Sequence, residues 1–240
     1  MSKVGIVVPI LNNFKGFAEL VESTKSDNHE VRWYVQPQHR AQVPLAAAWN
    51  KGFRDAVADG CKYIGIFNDD ILLSPTTLDR MVECFFWMPK DVVLVSANNV
   101  YSQLATPHAI FDHADLNDKT YSEHPNYSCF MVKHDFFDKV GSFDENFVPA
   151  WYEDNDSHKR IMELGYKAVC TTYASCVHYG GVTTSQMGSP DSGVSQSYYV
   201  KKWGGLPYSH PVSAEMKEKF KTPYNDPNLT AKDWISNYGQ

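Results

Sequence analysis

Four groups of residues have the types and spacing to do chemistry. Asn68-Asp69-Asp70 directly follows the apolar run Tyr63 to Phe67. Adjacent carboxylates are hard oxygen ligands suited to Mg2+ or Mn2+, and a cation held there could bridge a diphosphate; the plainer reading is an Asn-Asp turn between strand and helix. Glu153-Asp154 stands behind the aromatic pair Trp151-Tyr152 and ahead of a helix. A carboxylate there could accept the proton of an attacking hydroxyl, or it could simply cap the helix. The helix dipole would lower its pKa, so desolvation would have to offset that for it to act as a base. His178, just before Gly180-Gly181, could complete a metal site or be a packed surface histidine. Lys201-Lys202, beside Trp203-Gly204, could close over a diphosphate or form a solvated pair of charges next to a docking aromatic.

The elements that must position these residues alternate along the chain. Lys3 to Leu11 is a Val/Ile-rich run ending in Asn12-Asn13, a buried strand emptying into a loop. Phe17 to Val21 has helical spacing, and Val31 to Gln36 is a second strand stopped by Pro37. From Pro44, Leu45, Trp49, Phe53 and Val57 recur every four residues up to a cap at Gly60. Tyr63 to Phe67 is a strand, and a helix is expected after it with Ser74 as N-cap and Pro75 in its first turn. Asp91 to Ala97 is a strand, and Asn98 to Tyr127 loses periodicity, a long loop of the kind that admits a substrate. Phe130 to Val132 is strand-like, Asp135 to Val140 a brief helix, Asp156 to Leu164 a helix and Ala168 to Thr172 a strand. This alternation predicts an α/β domain with a mostly parallel central sheet. Residues 1–181 are expected to form it, and residues 182–240, opening on a Ser/Gly/Pro-rich stretch, to be a loop and tail packed on the same domain.

Length and composition exclude several classes. The chain has 240 residues, 43% of them hydrophobic, enough for one substantial core. A net charge of -6 argues against a surface built to neutralise nucleic-acid phosphates. No stretch is long and apolar enough to span a membrane. The five cysteines form no C-x-x-C pair, which fits free thiols in a reducing compartment, so the expected location is the cytoplasm.

Taken together, these segments resemble the family 2 glycosyltransferases of GT-A fold, a Rossmann-like three-layer architecture. The likeness rests on Val4-Gly5-Ile6-Val7-Val8-Pro9, Trp49-Asn50-Lys51-Gly52, Asn68-Asp69-Asp70, Val140-Gly141-Ser142-Phe143-Asp144-Glu145-Asn146-Phe147 and Tyr152-Glu153-Asp154-Asn155-Asp156, in that order, with His178 placed 24 residues beyond Asp154. It implies a hexosyl- or pentosyltransferase that uses a nucleotide-diphosphate sugar and Mn2+ or Mg2+. Asp70 and His178 would be the metal ligands and Asp154, aided by Glu153, the base in an inverting displacement. Pro9, Leu11, Asn12, Gln36, Asn50, Asn68, Asp69, Lys201 and Lys202 would contact the donor, and Trp151 and Tyr152 the acceptor. That acceptor would be a glycan or lipid-linked saccharide, with a hydroxymethylated DNA base less favoured. Two departures concern the donor: Asn68 replaces the first Asp of the motif, and Gln36 stands where the family commonly has an Asp that reads uracil. Of the alternatives, a nucleotidyltransferase would need a Gly-rich phosphate loop that Ile10 to Phe14 lacks. A non-catalytic nucleotide-sugar-binding module would have little use for Asp154.

Overall fold

The first strand, β1 (Ser2–Ile10), is apolar on both faces: Val7 points to one hydrophobic cluster while Val4, Ile6, Val8 and Ile10 point to another. Only a strand covered on both sides can keep such a sequence, so helices must lie above and below it. The computed structural model, which describes residues 1–37, 43–182 and 192–207, has that arrangement. In chain order the elements are β1, α1 (Phe14–Ser23), β2 (His29–Pro37), α2 (Leu45–Ala58), β3 (Tyr63–Phe67), β4 (Ile71–Leu73) and α3 (Thr77–Trp87), followed by β5 (Val92–Asn99), β6 (Tyr121–Ser122), β7 (Cys129–Lys133) and α4 (Phe136–Val140), then α5 (Glu153–Glu163), β8 (Lys167–His178) and α6 (Gly193–Trp203). Short 3-10 helices occupy Tyr101–Gln103 and Pro107–Asp112.

One eight-stranded sheet runs in the order β2-β1-β3-β7-β5-β8-β4, with β6 also paired to β8. Strands β1, β2, β3, β5 and β8 point the same way, and β4, β6 and β7 oppose them. Trp49 and Phe53 of α2, Phe136 of α4 and Ile161 of α5 pack on one face. Leu20 of α1 and Leu78, Met81 and Val82 of α3 cover the other. The expected three layers and mostly parallel sheet are present.

Three boundaries depart from the sequence expectation. Ile71–Leu73 is a strand, and α3 starts after it with Thr76 at the cap. Ser74 instead hydrogen-bonds Thr77 and the buried carboxylate of Asp115. The cause is remote in sequence: Ile71, Leu72 and Leu73 pair with His178, Val177 and Cys176. Strand β8 likewise runs on past Thr172, because a register shift against β5 near Ala97 and Asn98 lets it continue to His178. Helix α5 begins at Glu153, so Asp154 lies inside its first turn and does not cap it.

Part of the long loop after β5 is built into the domain. Ile110 is fully buried, and Asp115 accepts hydrogen bonds from Ser74 and Thr76. Of the expected tail, α6 packs Tyr199 and Trp203 against Phe147. Residues 183–191 and 208–240 lie outside the described residues. Among the described residues, no helix is long and apolar enough to cross a membrane.

Candidate active site

Because β1, β2, β3, β5 and β8 share a direction, their C-terminal ends form one edge, where α/β sheets bind ligands. Pro9 sits there, buried and in register with Gln36 of β2, while Leu11 and the exposed Asn12 follow in the loop. Gln36 is 7% exposed and its amide donates to Asp55 Oδ2 at 3.4 Å. Past the end of β3, Asn68 N donates to Ser128 O at 2.9 Å, and Tyr179 N, just beyond β8, donates to Asp70 O at 3.1 Å.

The second of these backbone links brings Asp70 to His178, more than a hundred positions away. His178 Nε2 lies 3.2 Å from Asp70 Oδ1 and 3.4 Å from Asn68 Nδ2. Asp70 is 5% exposed, and the His178 side chain 24%. Asn99, at the end of β5, accepts from His178 N at 3.2 Å and from Tyr101 N at 3.1 Å, so the His178 backbone is tied to the end of β5. One carboxylate oxygen and one imidazole nitrogen at this separation fit a divalent ion such as Mn2+. Among the described residues no group of three or more His, Cys, Asp and Glu is placed to hold a metal. Asp70 and His178 could supply two ligands, with water and phosphate oxygens in other positions, an arrangement usual where such an ion serves a nucleotide.

Glu153 and Asp154 approach the same edge by another route. Helix α5 feeds β8 through a tight turn at Gly165, so its N-terminus lies toward the C-terminal edge of the sheet. Two contacts agree with that placement. Leu45 N, at the start of α2, donates to Pro149 O at 3.0 Å. The ring of His158, one turn after Asp154, lies 6.4 Å from that of Tyr127, whose neighbour Ser128 holds Asn68. Trp151 and Tyr152 both adopt left-handed backbone (φ 72° and 70°) immediately before the helix. Non-glycine residues pay of order 1–3 kcal/mol for such conformations, which collect at functional sites. Trp151, Tyr152, Glu153, Asp154 and Asn155, with Ser192 and Pro207, line a cavity of about 410 Å3.

Burial decides the electrostatics of this carboxylate pair. It raises the pKa of Asp154, even though Asn155 donates to Oδ1 from its backbone (2.7 Å) and its amide (2.9 Å). Desolvation thus prevails over the helix terminus and makes Asp154 a better proton acceptor than an exposed aspartate. Glu153 is 4% exposed, and its Oε2 is buried without a hydrogen-bond partner. Burial first, then the charges of Asp154 and Asp156, push its pKa well above the carboxylate range. A folded-state pKa above the unfolded value means stability that is whole in acid and declines as pH rises past the ordinary glutamate range. Glu153→Gln is therefore expected to raise stability by about 1–2 kcal/mol at neutral pH, with the gain vanishing in acid; thermal melts of both proteins across pH check this.

Three site expectations need correction or restatement. Asn50 is fully buried: its Nδ2 donates to Phe143 O and Glu145 Oε1, both at 2.8 Å, and its Oδ1 accepts from Phe143 N at 2.9 Å. It ties α2 to the loop after α4 and presents nothing to a donor. Lys202 pairs with Asp144 and Asp156, each at 2.6 Å, and these two carboxylates draw its ammonium into the protein. Lys201 is exposed on the last turn of α6, with no contact among the described residues that ties it to the edge. Asn99, and Asn13, whose side chain meets the Asp69 peptide, are not singled out by sequence; the visible clue is Asn13 standing where a helix N-cap belongs.

No protein-family model matches the chain. No curated protein matches it in sequence. Solved structures do match its fold. The GalNAc-T7 structure with UDP, GalNAc and Mn2+ aligns with 100% of this chain at a TM-score of 0.60 and 10% identity, and this chain spans 57% of its length. The catalytic domain of Drosophila beta1,4galactosyltransferase 7 in complex with xylobiose aligns over 97% of this chain and 84% of its own, at a TM-score of 0.49 and 14% identity. A single-residue mutant of that enzyme, in complex with manganese, UDP-Gal and xylobiose, aligns over the same shares, 97% and 84%, at 0.49 and 13% identity. The chain has the GT-A glycosyltransferase fold.

Proposed function

We propose that this protein is a metal-dependent glycosyltransferase that moves a sugar from a nucleotide-diphosphate sugar to an acceptor hydroxyl with inversion, built on the family 2 plan. The observation that carries the proposal is the meeting of Asn68, Asp70 and His178 at the sheet edge toward which α5 directs Asp154. Fold analogy adds support, since the solved transferase of TM-score 0.60 holds UDP, GalNAc and Mn2+.

The donor's nucleotide lies along Pro9, Leu11, Asn12 and Gln36, with its diphosphate toward Asp69 and Asp70. Asp70 and His178 would hold a divalent ion, which would supply Lewis-acid charge to that diphosphate. Asp154 takes the proton of the acceptor hydroxyl, whose oxygen bonds to the anomeric carbon while the bond from that carbon to the diphosphate oxygen breaks and its electron pair leaves with the nucleotide. Trp151 and Tyr152 form an aromatic wall for an acceptor sugar, and the partly buried setting of Asp154 keeps its basicity raised. A glycan or lipid-linked saccharide is the acceptor this wall favours, and the net charge of -6 disfavours duplex DNA. The five free cysteines favour a reducing, cytoplasmic setting.

Incubation of the protein with a panel of nucleotide sugars, with Mn2+ or with EDTA, tests the assignment by release of nucleoside diphosphate. Manganese-dependent release with one donor is expected, and the anomer of the product reports inversion. Binding of a donor without release, with every acceptor class offered, would establish a sugar-nucleotide-binding module instead.

A further inference from the structure

The loop that carries Asp69 and Asp70 is held from three sides. Two of the ties join backbone to backbone, Asn68 N to Ser128 O and Tyr179 N to Asp70 O, and such ties form whatever side chains the strands bear. The third is a side chain, and so depends on the residue chosen. Asn13, the N-cap of α1, accepts from Gly16 N at its Oδ1 (3.1 Å). The same amide donates from Nδ2 to the backbone oxygen of Asp69 at 2.9 Å, with Asp69 Oδ1 at 3.5 Å. Engagement of Oδ1 by the helix fixes the amide plane and so aims Nδ2 at Asp69.

Gly16 completes the arrangement. A β-carbon at this position would fall well inside van der Waals contact of both the Asp69 carbonyl oxygen and the Asn13 amide. The first turn of α1 therefore rests directly on the Asp69 peptide, and only glycine permits that approach.

We infer that Asn13 and Gly16 form a clamp that fixes the Asp69 peptide and thereby sets where the Asp70 carboxylate stands relative to His178. They are positioning residues, acting through the loop and touching neither donor nor metal. The inference rests on the reading of Asp70 and His178 as metal ligands, whose 3.2 Å approach is the geometry the clamp protects. Metal sites tolerate displacements of only a few tenths of an ångström, and α1 lies on the opposite face of the sheet from α5, so the clamp sets this site without passing through the Asp154 side.

The test is Mn2+ binding in the presence of UDP, read from the electron paramagnetic resonance of free Mn2+, on the wild type, Asp70→Ala, Gly16→Ala and Asn13→Ser, with metal-free thermal melts alongside. Serine keeps an N-cap oxygen but cannot reach Asp69. Gly16→Ala forces a β-carbon against the Asp69 carbonyl oxygen and the Asn13 amide, so its melting temperature is expected to fall by several degrees despite the gain in helix propensity. Both clamp variants are expected to bind Mn2+ about 10- to 100-fold more weakly, the usual cost of removing an outer partner of a ligand, while the metal-free melt of Asn13→Ser stays near wild type. If Asp70→Ala abolishes binding yet both clamp variants bind as wild type, the clamp is wrong and the metal site stands. If the wild type binds no Mn2+, or Asp70→Ala leaves binding intact, the ligand reading fails and the clamp fails with it. Should Gly16→Ala not fold, Asn13→Ser decides alone.

Discussion

Asp70→Ala is expected to lower manganese-dependent turnover of the donor by at least about a hundredfold, because loss of one of two protein ligands removes several kcal/mol of charge stabilisation at the departing diphosphate. The variant should fold. Asp70 contributes a backbone oxygen to the sheet edge through Tyr179 N, and alanine keeps that bond. Its carboxylate makes one close contact of note, with His178, so truncation leaves that imidazole facing a gap and uncovers no pair of buried charges. His178→Ala should show the same kind of loss, smaller where water can take the vacated position. Turnover measured against Mn2+ concentration separates the two effects: a ligand lost from the ion raises the concentration required, whereas a residue that only shapes the pocket lowers the plateau. Turnover by Asp70→Ala equal to wild type at limiting Mn2+ would remove Asp70 from the metal site.

Lys202→Met is expected to destabilise the fold by about 3–5 kcal/mol, since removing one partner of a buried ion pair strands the other charges. The Lys202 side chain is 9% exposed and lies 2.6 Å from both Asp144 and Asp156, whose side chains are fully buried. Asp144 also accepts from Tyr198, and Asp156 from Trp203 Nε1 and Arg160 Nε, so the network joins α6, α5 and the loop after α4. Burial alone would raise the pKa of Asp144, but the charge and hydrogen bond of Lys202, with those from Asn146, outweigh it and hold the pKa below the usual aspartate value. A lowered folded-state pKa means stability that is present above the unfolded pKa and lost as pH falls through the folded one. The gap between wild type and Lys202→Met should therefore be full at neutral pH and close in strong acid. Chemical denaturation at several pH values checks both the size and the trend. A difference below about 1 kcal/mol at neutral pH would mean that the lysine is effectively solvated, as an exposed pair would be.

Much of the architecture is legible from local pattern. Leu45, Trp49, Phe53 and Val57 mark α2 to within a residue, and Tyr63 to Phe67 coincides with β3, because periodicity and breakers act over single turns and short runs. The elements that local pattern misplaces owe their form to distant partners. Ile71–Leu73 is too short to announce itself as a strand and exists because β8 offers it an antiparallel edge. The start of α5 lies upstream of its expected place because Trp151 and Tyr152 take left-handed backbone, which no propensity of those residues foretells.

The candidate site divides in the same way. That Asn68-Asp69-Asp70 follows a buried strand, and that Glu153-Asp154 stands beside a helix, are consequences of order along the chain, and the chemistry available to those side chains is intrinsic to them. Whether Asp70 meets His178, whether Asn50 or Lys202 turns inward, and whether Asp154 is a weak or a raised base depend on which surfaces come into contact when the layers close. Those contacts join residues tens to more than a hundred positions apart. Side-chain type sets what a group can do, but its surroundings set its charge, because dielectric and partner distance are properties of the packed whole. The order of motifs thus carried the proposed chemistry, and only the folded sheet decided which of those residues meet at its edge and which turn inward.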